Sequence, residues 1–448
     1  MISRSALARS AQQAARRPCG ARLLQRRSYA AAAATGAFET SDVSGLKVAS
    51  RDAHGPTTKL AVIAKAGTRF QPLPGLTNTQ RRSALRITRE SELLGGQLNA
   101  SHSREALVLE ASFLREDLPY FTELLAEVVS MTKYTTHEFH EDVERVLSLK
   151  QAARSANVPA LALDNAHAVA FHTGLGASLY PSKSTPYKKY MNEEYIASFA
   201  DVVYSKPNFA VVADGASSEN LTHWVSQFFR DVPASPQSGQ SLKLDASKYH
   251  GGEQRIDHAG GNSMVIAFPG SDSTGSKPEM AVLAALLGGK STVKWAPGFS
   301  LLSKATSGLS GLSVSASNLA YSDAGLLAVQ LSGPASSVRK AAEETAKALK
   351  AVANGSISKE DVTKAVANAK FDALEKAQSR GPSMLLAGSG LVNSGKALDI
   401  ASAANGIESV TADKLKSAAK TLLDGKATVS TVGDLFVLPY AEELGLRV

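Results

Sequence analysis

Histidines are the first residues to test for chemistry, because two imidazoles on one helical face plus a carboxylate can hold zinc and activate water. The chain has nine, and the tightest cluster is His137-Glu-Phe-His140-Glu141. Spacing of i, i+3 sets both rings on one side of a helix. The rival reading is a first helical turn capped by Thr136, with Glu138, Glu141 and Asp142 complementing the dipole. A later segment, Ser358-Lys-Glu-Asp-Val, has the same cap and acids with Lys359 and no His, which favours the capping role. His167 and His172 lie five apart. That is about 140° around a helix, a poor shared ligand face.

Two segments approach a phosphate-binding loop. Gly390-Leu-Val-Asn-Ser-Gly-Lys-Ala397 fits G-x-x-x-x-G-K, but Ala397 stands where a hydroxyl should bind magnesium. It also follows a helical Met384-Leu-Leu-Ala pattern instead of a strand. Gly289-Lys-Ser291 has Ala284 where the first glycine belongs. Neither carries a nucleotide site. Arg82, Arg86 and Arg89 follow a helical i, i+4, i+7 spacing, a solvated face or a patch for anionic lipid heads.

The elements that must position such residues begin behind a leader. The net charge of +8, from 49 Lys and Arg against 41 Asp and Glu, would suggest a polyanionic partner. Seven arginines fall in the first 29 residues, which contain no Lys, Asp or Glu. Arg-rich, Ser-containing and acid-free is the pattern of a mitochondrial transit peptide, residues 1–29. Arg27-Ser-Tyr29-Ala30 places processing between Tyr29 and Ala30. The 419 residues that remain carry 42 Lys and Arg against 41 acids, a net +1, so no whole-chain field supports nucleic-acid binding. The sole cysteine, Cys19, lies in the leader, so the mature chain has no thiolate chemistry. No apolar run approaches the length of a membrane-spanning helix.

Residues 30–45 read as a flexible lead-in, with folded material starting at Leu46. Residues 231–252, rich in Ser, Pro, Gly and Gln, read as a linker. The pieces on either side, 46–230 and 253–440, repeat one pattern. Leu60-Ala-Val-Ile-Ala-Lys-Ala-Gly67 matches Ser263-Met-Val-Ile-Ala-Phe-Pro-Gly270. Each is followed by a helical segment stopped by a glycine pair, Gly95-Gly96 and Gly288-Gly289. Later elements recur at offsets of 219, 222 and 220 residues (Ala106 to Gly325, Thr136 to Ser358, Val211 to Thr431). The reading is two homologous α+β domains, each an antiparallel-rich sheet packed against several helices.

Those residues resemble the pitrilysin-type (M16) metallopeptidases and their non-catalytic relatives. The resemblance spans the mature chain. It is carried by Lys65-Ala-Gly-Thr-Arg69, Leu94-Gly-Gly-Gln-Leu-Asn-Ala100 with Ser103-Arg-Glu105, Leu114-Arg-Glu-Asp117 and Val211 to Gly215. Active members carry His-x-x-Glu-His on a helix before the glycine pair. Zinc on that helix lowers the pKa of its water to about 7. No His-x-x-Glu-His occurs here, and the interval from Gly67 to Gly95 holds no His at all. That interval is also about ten residues short of the family pattern, with the shortage at Gly75-Leu-Thr-Asn78.

Within the family the resemblance is to the core subunits of the mitochondrial cytochrome bc1 complex, respiratory complex III. It implies a matrix-side scaffold at the inner membrane that binds no metal or cofactor and has no catalytic residue. Its implied partners are a core-protein-1-like subunit, cytochrome b, cytochrome c1 and the Rieske subunit, with no nucleic acid. The alternative is the non-catalytic alpha-type subunit of the mitochondrial processing peptidase. That class carries a long glycine-rich loop, and the matching stretch from Gly288 to Leu302 has too few glycines.

Overall fold

Runs such as Leu60-Ala-Val-Ile-Ala and Phe209-Ala-Val-Val-Ala are apolar without alternation, so these strands must be covered on both faces. The computed structural model describes residues 37–448 except 53, 69–78, 180–192, 240, 243–245, 274–276, 290–297 and 398–399. The expected transit peptide, with Tyr29 and Ala30, lies outside the described residues. Residues 37–448 form one compact unit.

The first sheet contains β1 (Glu39–Val43), β2 (Leu46–Arg51), β3 (Thr57–Ala64), β4 (Gln97–His102), β5 (Leu107–Leu114) and β6 (Phe209–Asp214), in the order β1-β2-β6-β3-β5-β4. The second contains β7 (Gly252–Asp257), β8 (Asn262–Pro269), β9 (Ser313–Ala320), β10 (Gly325–Gly333) and β11 (Thr428–Gly433), in the order β7-β11-β8-β10-β9. The second order repeats the first without its edge strand β1. Register repeats too. Val62 of β3 faces Leu109 and Val211, and Ile266 of β8 faces Val329 and Val429. Only β2 with β6 and β7 with β11 run parallel, among the described pairs.

Helices of the first half are α1 (Ala84–Leu93), α2 (Leu118–Ser130), α3 (Glu144–Ala156), α4 (Val158–Phe171), α5 (Glu193–Val203) and α6 (Ser218–Phe228). A short turn, Thr136–Glu138, and a π-type turn, Phe139–Val143, lead into α3. The second half supplies α7 (Pro278–Leu287), α8 (Leu301–Ala305), α9 (Ala335–Asn354), α10 (Lys359–Gln378), α11 (Arg380–Ser394), α12 (Ile400–Glu408) and α13 (Ala412–Asp424). Hydroxyl and amide caps start several of them. Ser83, Asn157, Ser217, Ser358 and Thr411 each accept a backbone N–H from the first turn.

The halves exchange helices. α4 belongs to the first half by sequence, yet it packs on β11, β8, β7 and β10 of the second sheet. α11 belongs to the second half and packs on β6, β3 and β2 of the first. Small residues make both approaches close. Ala162, Ala166 and Ala170 of α4, one turn apart, are fully buried against Val265, Ala267 and Ala328. On α11 a Cβ at Gly388 would stand 2.3 Å from Ile63 Cδ1, so only glycine admits the helix at this depth. Each exchanged helix is also held by a buried ion pair. Arg51 meets Asp214 at the ends of β2 and β6 and donates to Ser383 Oγ of α11 at 2.9 Å. Arg104 meets Asp164 of α4.

Three boundaries differ from the sequence reading. The lead-in at 30–45 contains β1, which pairs antiparallel with β2 through the Ser44-Gly45 turn. Its single buried residue, Val43, left no apolar run to detect. The second domain does not stop at 440. Ala441, Leu444 and Leu446 are buried in its core, and Ala427 N–H donates to Arg447 O. Arg255 braces that tail by donating to the carbonyls of Leu435, Leu438 and Pro439 and stacking 3.8 Å over the Tyr440 ring. The linker at 231–252 is pinned to the surface. Val232 is buried, Gln237 and Ser238 N–H donate to Asp201, and Gly252 already pairs within β7.

Candidate functional site

α1 and α7 occupy the same place in the repeat, each running into its glycine pair, but they pack differently. α7 (PEMAVLAALL) buries Met280, Val282, Leu283, Ala284, Leu286 and Leu287. It lies against β9 and β10 and under α10, α12 and α13. α1 (ALRITRESEL) buries Ile87 and Ser91, and its main neighbour is β4. Leu85 and Leu93 of α1 are 59% and 86% exposed, so of its apolar side chains it is Ile87 that reaches the core.

Where α7 sits in the second half, the first half has a cavity of about 500 Å³. Its floor is β4 and β5, through Leu98, Leu107 and Leu109; its walls are α2, α3 and α5, through Leu125, Val146 and Ala200. His102 is the lone histidine of the lining, and its Nε2 lies 3.0 Å from Leu179 O. Glu110 also lines the cavity. Burial works against its charge, but hydrogen bonds from Asn99 Nδ2 at 3.1 Å and Lys59 Nζ at 2.9 Å hold its carboxyl below the usual range. Burial pushes the Tyr134 hydroxyl up to about 12, and burial followed by the neighbouring Tyr134 pushes Tyr204 up as well.

The residues singled out from sequence land elsewhere. His137 and His140 fall on the turns before α3, both exposed, and His140 Nδ1 pairs with Glu144 at 3.2 Å. Thr135, not Thr136, is the residue before the first turn, and its Oγ1 donates to Glu138 at 2.6 Å. Thr136 Oγ1 donates instead to Glu193 at 2.7 Å. Among the described residues no three His, Cys, Asp or Glu side chains form a group that could hold a metal ion.

His167 is buried. Its Nδ1–H donates to Leu163 O at 2.8 Å, and Tyr321 O–H donates to Nε2 at 2.8 Å. Burial, then the Arg104 charge, lowers its pKa to about 4. His172, just past α4 with φ +57, stacks on His250 with ring centroids 4.1 Å apart.

Gly390 to Ser394 is the last turn of α11, so its N–H groups are spent inside the helix and form no phosphate cradle. In Gly289-Lys-Ser291, Lys290 and Ser291 lie outside the described residues. The arginine stripe does not form. Arg82 precedes the Ser83 cap and sinks against α2, where it meets Glu127 and pairs with Glu123 at 3.0 Å and Glu90 at 3.2 Å. Arg86 pairs with Glu90 at 2.6 Å.

Ser103-Arg-Glu105 turns out to be a joint. Arg104 donates to Leu175 O at 2.8 Å besides meeting Asp164, and Glu105 accepts from Ser322 N–H at 2.8 Å and Ser322 O–H at 2.6 Å. Asp164 also meets Arg154 and accepts from Ser178 Oγ at 2.7 Å. Sequence reasoning passed over Asp164, although a lone acid inside Leu-Ala-Leu-Asp-Asn-Ala-His-Ala is the signal of a buried charge needing partners.

Comparison with known proteins adds kinship to this geometry. The family model described as "Insulinase (Peptidase family M16)" matches residues 75–183, and "Peptidase M16 inactive domain" matches residues 190–369. The chain is 57% identical to "Cytochrome b-c1 complex subunit 2, mitochondrial" of Neurospora crassa, over 100% of both chains. To the protein of that name in Cryptococcus neoformans var. grubii it is 37% identical, over 91% of this chain and 94% of the relative. To the human one it is 25% identical, over 89% and 90%. The Neurospora alignment runs over 458 positions against the 448 residues of this chain, so about ten positions find no residue here.

Proposed function

The chain belongs to the M16 peptidase family, alongside the mitochondrial cytochrome b-c1 complex subunit 2 proteins, and from that premise we propose that it is core subunit 2 of this complex, ubiquinol–cytochrome c reductase. The observation that carries the reading is the 57% identity with the Neurospora subunit over the full length of both chains. Its role is assembly and stability, without chemistry of its own. The missing His-x-x-Glu-His supports this.

It stands on the matrix side of the inner membrane, peripheral to it. In support, no helix among the described residues is long and apolar enough to cross a membrane. Its partners are a core-protein-1-like subunit and the membrane subunits that carry the haems and the iron–sulfur cluster: cytochrome b, cytochrome c1 and the Rieske subunit. Residues 1–29 are the presequence that directs it there, removed between Tyr29 and Ala30. The chain divides into two M16-type domains, the first beginning at β1 and the second running from Gly252 of β7 through the tail after 440, joined by a linker that starts at 231.

The test is purification of the tagged chain from detergent-solubilised mitochondria. Haem b and haem c absorbance should co-purify in a fixed ratio to the chain. A soluble matrix heterodimer without haem overturns the reading.

A further inference from the structure

Three buried polar atoms on the seam between α4 and the second sheet have no hydrogen-bond partner among the described residues. They are Asn165 Nδ2, Gln254 Oε1 and Ser430 Oγ. Ser430 is fully buried. The three belong to distant parts of the chain, α4, β7 and β11. Buried polar groups are as a rule paired with protein or ordered water, because an unpaired one keeps the full cost of leaving solvent.

The fold sets the three side by side. Gln254 and Ser430 are register partners on the parallel strands β7 and β11. Side chains two apart on a strand share a face. Ile256 and Val432, two residues on from each, pack with Ala162, Ala166 and Ala170 of α4. Gln254 and Ser430 therefore lie on the face that α4 covers. α4 and β7 run in opposite senses: His250 N–H donates to Ala170 O, and a Cβ at Gly260 would stand 3.8 Å from Val158 Cγ2. Val169 fixes the alignment, its Cγ1 lying 3.1 Å from where a Cβ at Gly252 would be. One turn back on α4, about 5.4 Å, leads from Val169 to Asn165. Two residues forward on β7, about 6.6 Å, lead from Gly252 to Gln254. Asn165 is thereby brought over the Gln254–Ser430 pair.

Chemistry decides what joins them. Asn165 Nδ2 donates, Gln254 Oε1 accepts and Ser430 Oγ does either. A cation is repelled by the amide N–H, and an anion by the amide oxygen. A water molecule accepts from Asn165, donates to Gln254 and makes its third bond with Ser430, which is the number a buried water usually makes.

We propose that one ordered water is bound between Asn165, Gln254 and Ser430 and pins the exchanged helix α4 to the two strands at the edge of the second sheet. β7 opens that sheet in sequence and β11 closes it, so the site is complete only when the last strand has met the helix from the first half. It does not depend on the assembly role proposed above.

The test uses the full chain. In a crystal structure or electron cryomicroscopy map that shows ordered solvent, one peak should stand about 2.7–3.2 Å from all three atoms. Hydrogen exchange of the α4 amides reads what the water holds. Asn165→Ala and Ser430→Ala should each speed that exchange about tenfold. Either change takes a partner from the same water, so the double variant should be little faster than the faster single one. Gln254→Ala replaces Asn165→Ala in the same cycle should that variant fail to fold. The proposal is overturned if the peak is missing, if Asn165 and Gln254 bond directly in its place, or if the two effects multiply to about a hundredfold.

Discussion

Gly388 of α11 lies directly against Ile63 of β3, so close that the smallest side chain would stand 2.3 Å from the Ile63 methyl. A helix from one half of the chain is thereby seated on the sheet of the other. Gly388→Ala should destabilise the protein by about 1–3 kcal/mol, overpacking outweighing the gain in helix propensity of about 1 kcal/mol. Ile63→Val in the same chain should recover part of the loss. A double-mutant cycle by urea unfolding measures the coupling. Additive losses would show that the contact does not limit the approach.

Asp164 is the common partner of Arg104 and Arg154, and all three side chains are largely buried. Asp164→Asn leaves two guanidinium groups without their counter-charge. The expected loss is about 3–5 kcal/mol, read from the denaturation midpoint. A loss under 1 kcal/mol would mean that water reaches the group.

His167 sets an acid limit. Its folded pKa is lowered to about 4, against an unfolded value of about 6.5. Above pH 6.5 the residue is neutral in both states and makes stability independent of pH. As pH falls from 6.5 toward 4 the unfolded chain takes up a proton that the folded one refuses, so stability drops. The loss reaches about 3 kcal/mol near pH 4 and levels below it. His167→Gln should flatten this part of the profile, measured as unfolding free energy from pH 7 to pH 4.

Filling the first-half cavity should help the protein. Ala200→Leu adds apolar volume at the α5 wall and should stabilise by about 0.5–2 kcal/mol. Thermal melting reads the effect. A fall in melting temperature would show the space to be already occupied.

The presequence has its own expected outcome. Amino-terminal sequencing of the protein from mitochondria should begin at Ala30, and an intact Met1 would contradict processing.

Much of the fold was legible because the halves repeat. Strand runs, glycine stops and the Thr136/Ser358 offset marked equivalent elements, and the two sheets follow one order. The exchange of α4 and α11 was not legible. A stripe such as Ala162, Ala166, Ala170 announces a buried helical face without saying which sheet lies under it. β1 escaped because four of its five residues are not buried. The shortage before Gly95 was visible by counting, but its residues, Gly75-Leu-Thr-Asn78, lie outside the described ones. Arg82 read as one of a solvated row because its three carboxylate partners, Glu90, Glu123 and Glu127, are spread over two helices.

The placement of α11 also orders events in time. The first sheet is complete in sequence at Asp214, but the helix that covers its second face ends at Ser394. Whether the chain emerges from a ribosome or is threaded through a membrane, its first half must wait some 180 residues with Ile63 and Val212 uncovered. Such a nascent intermediate is a natural client for a chaperone, and a chain stalled before α11 would be a sticky, unfinished half and not a smaller native protein.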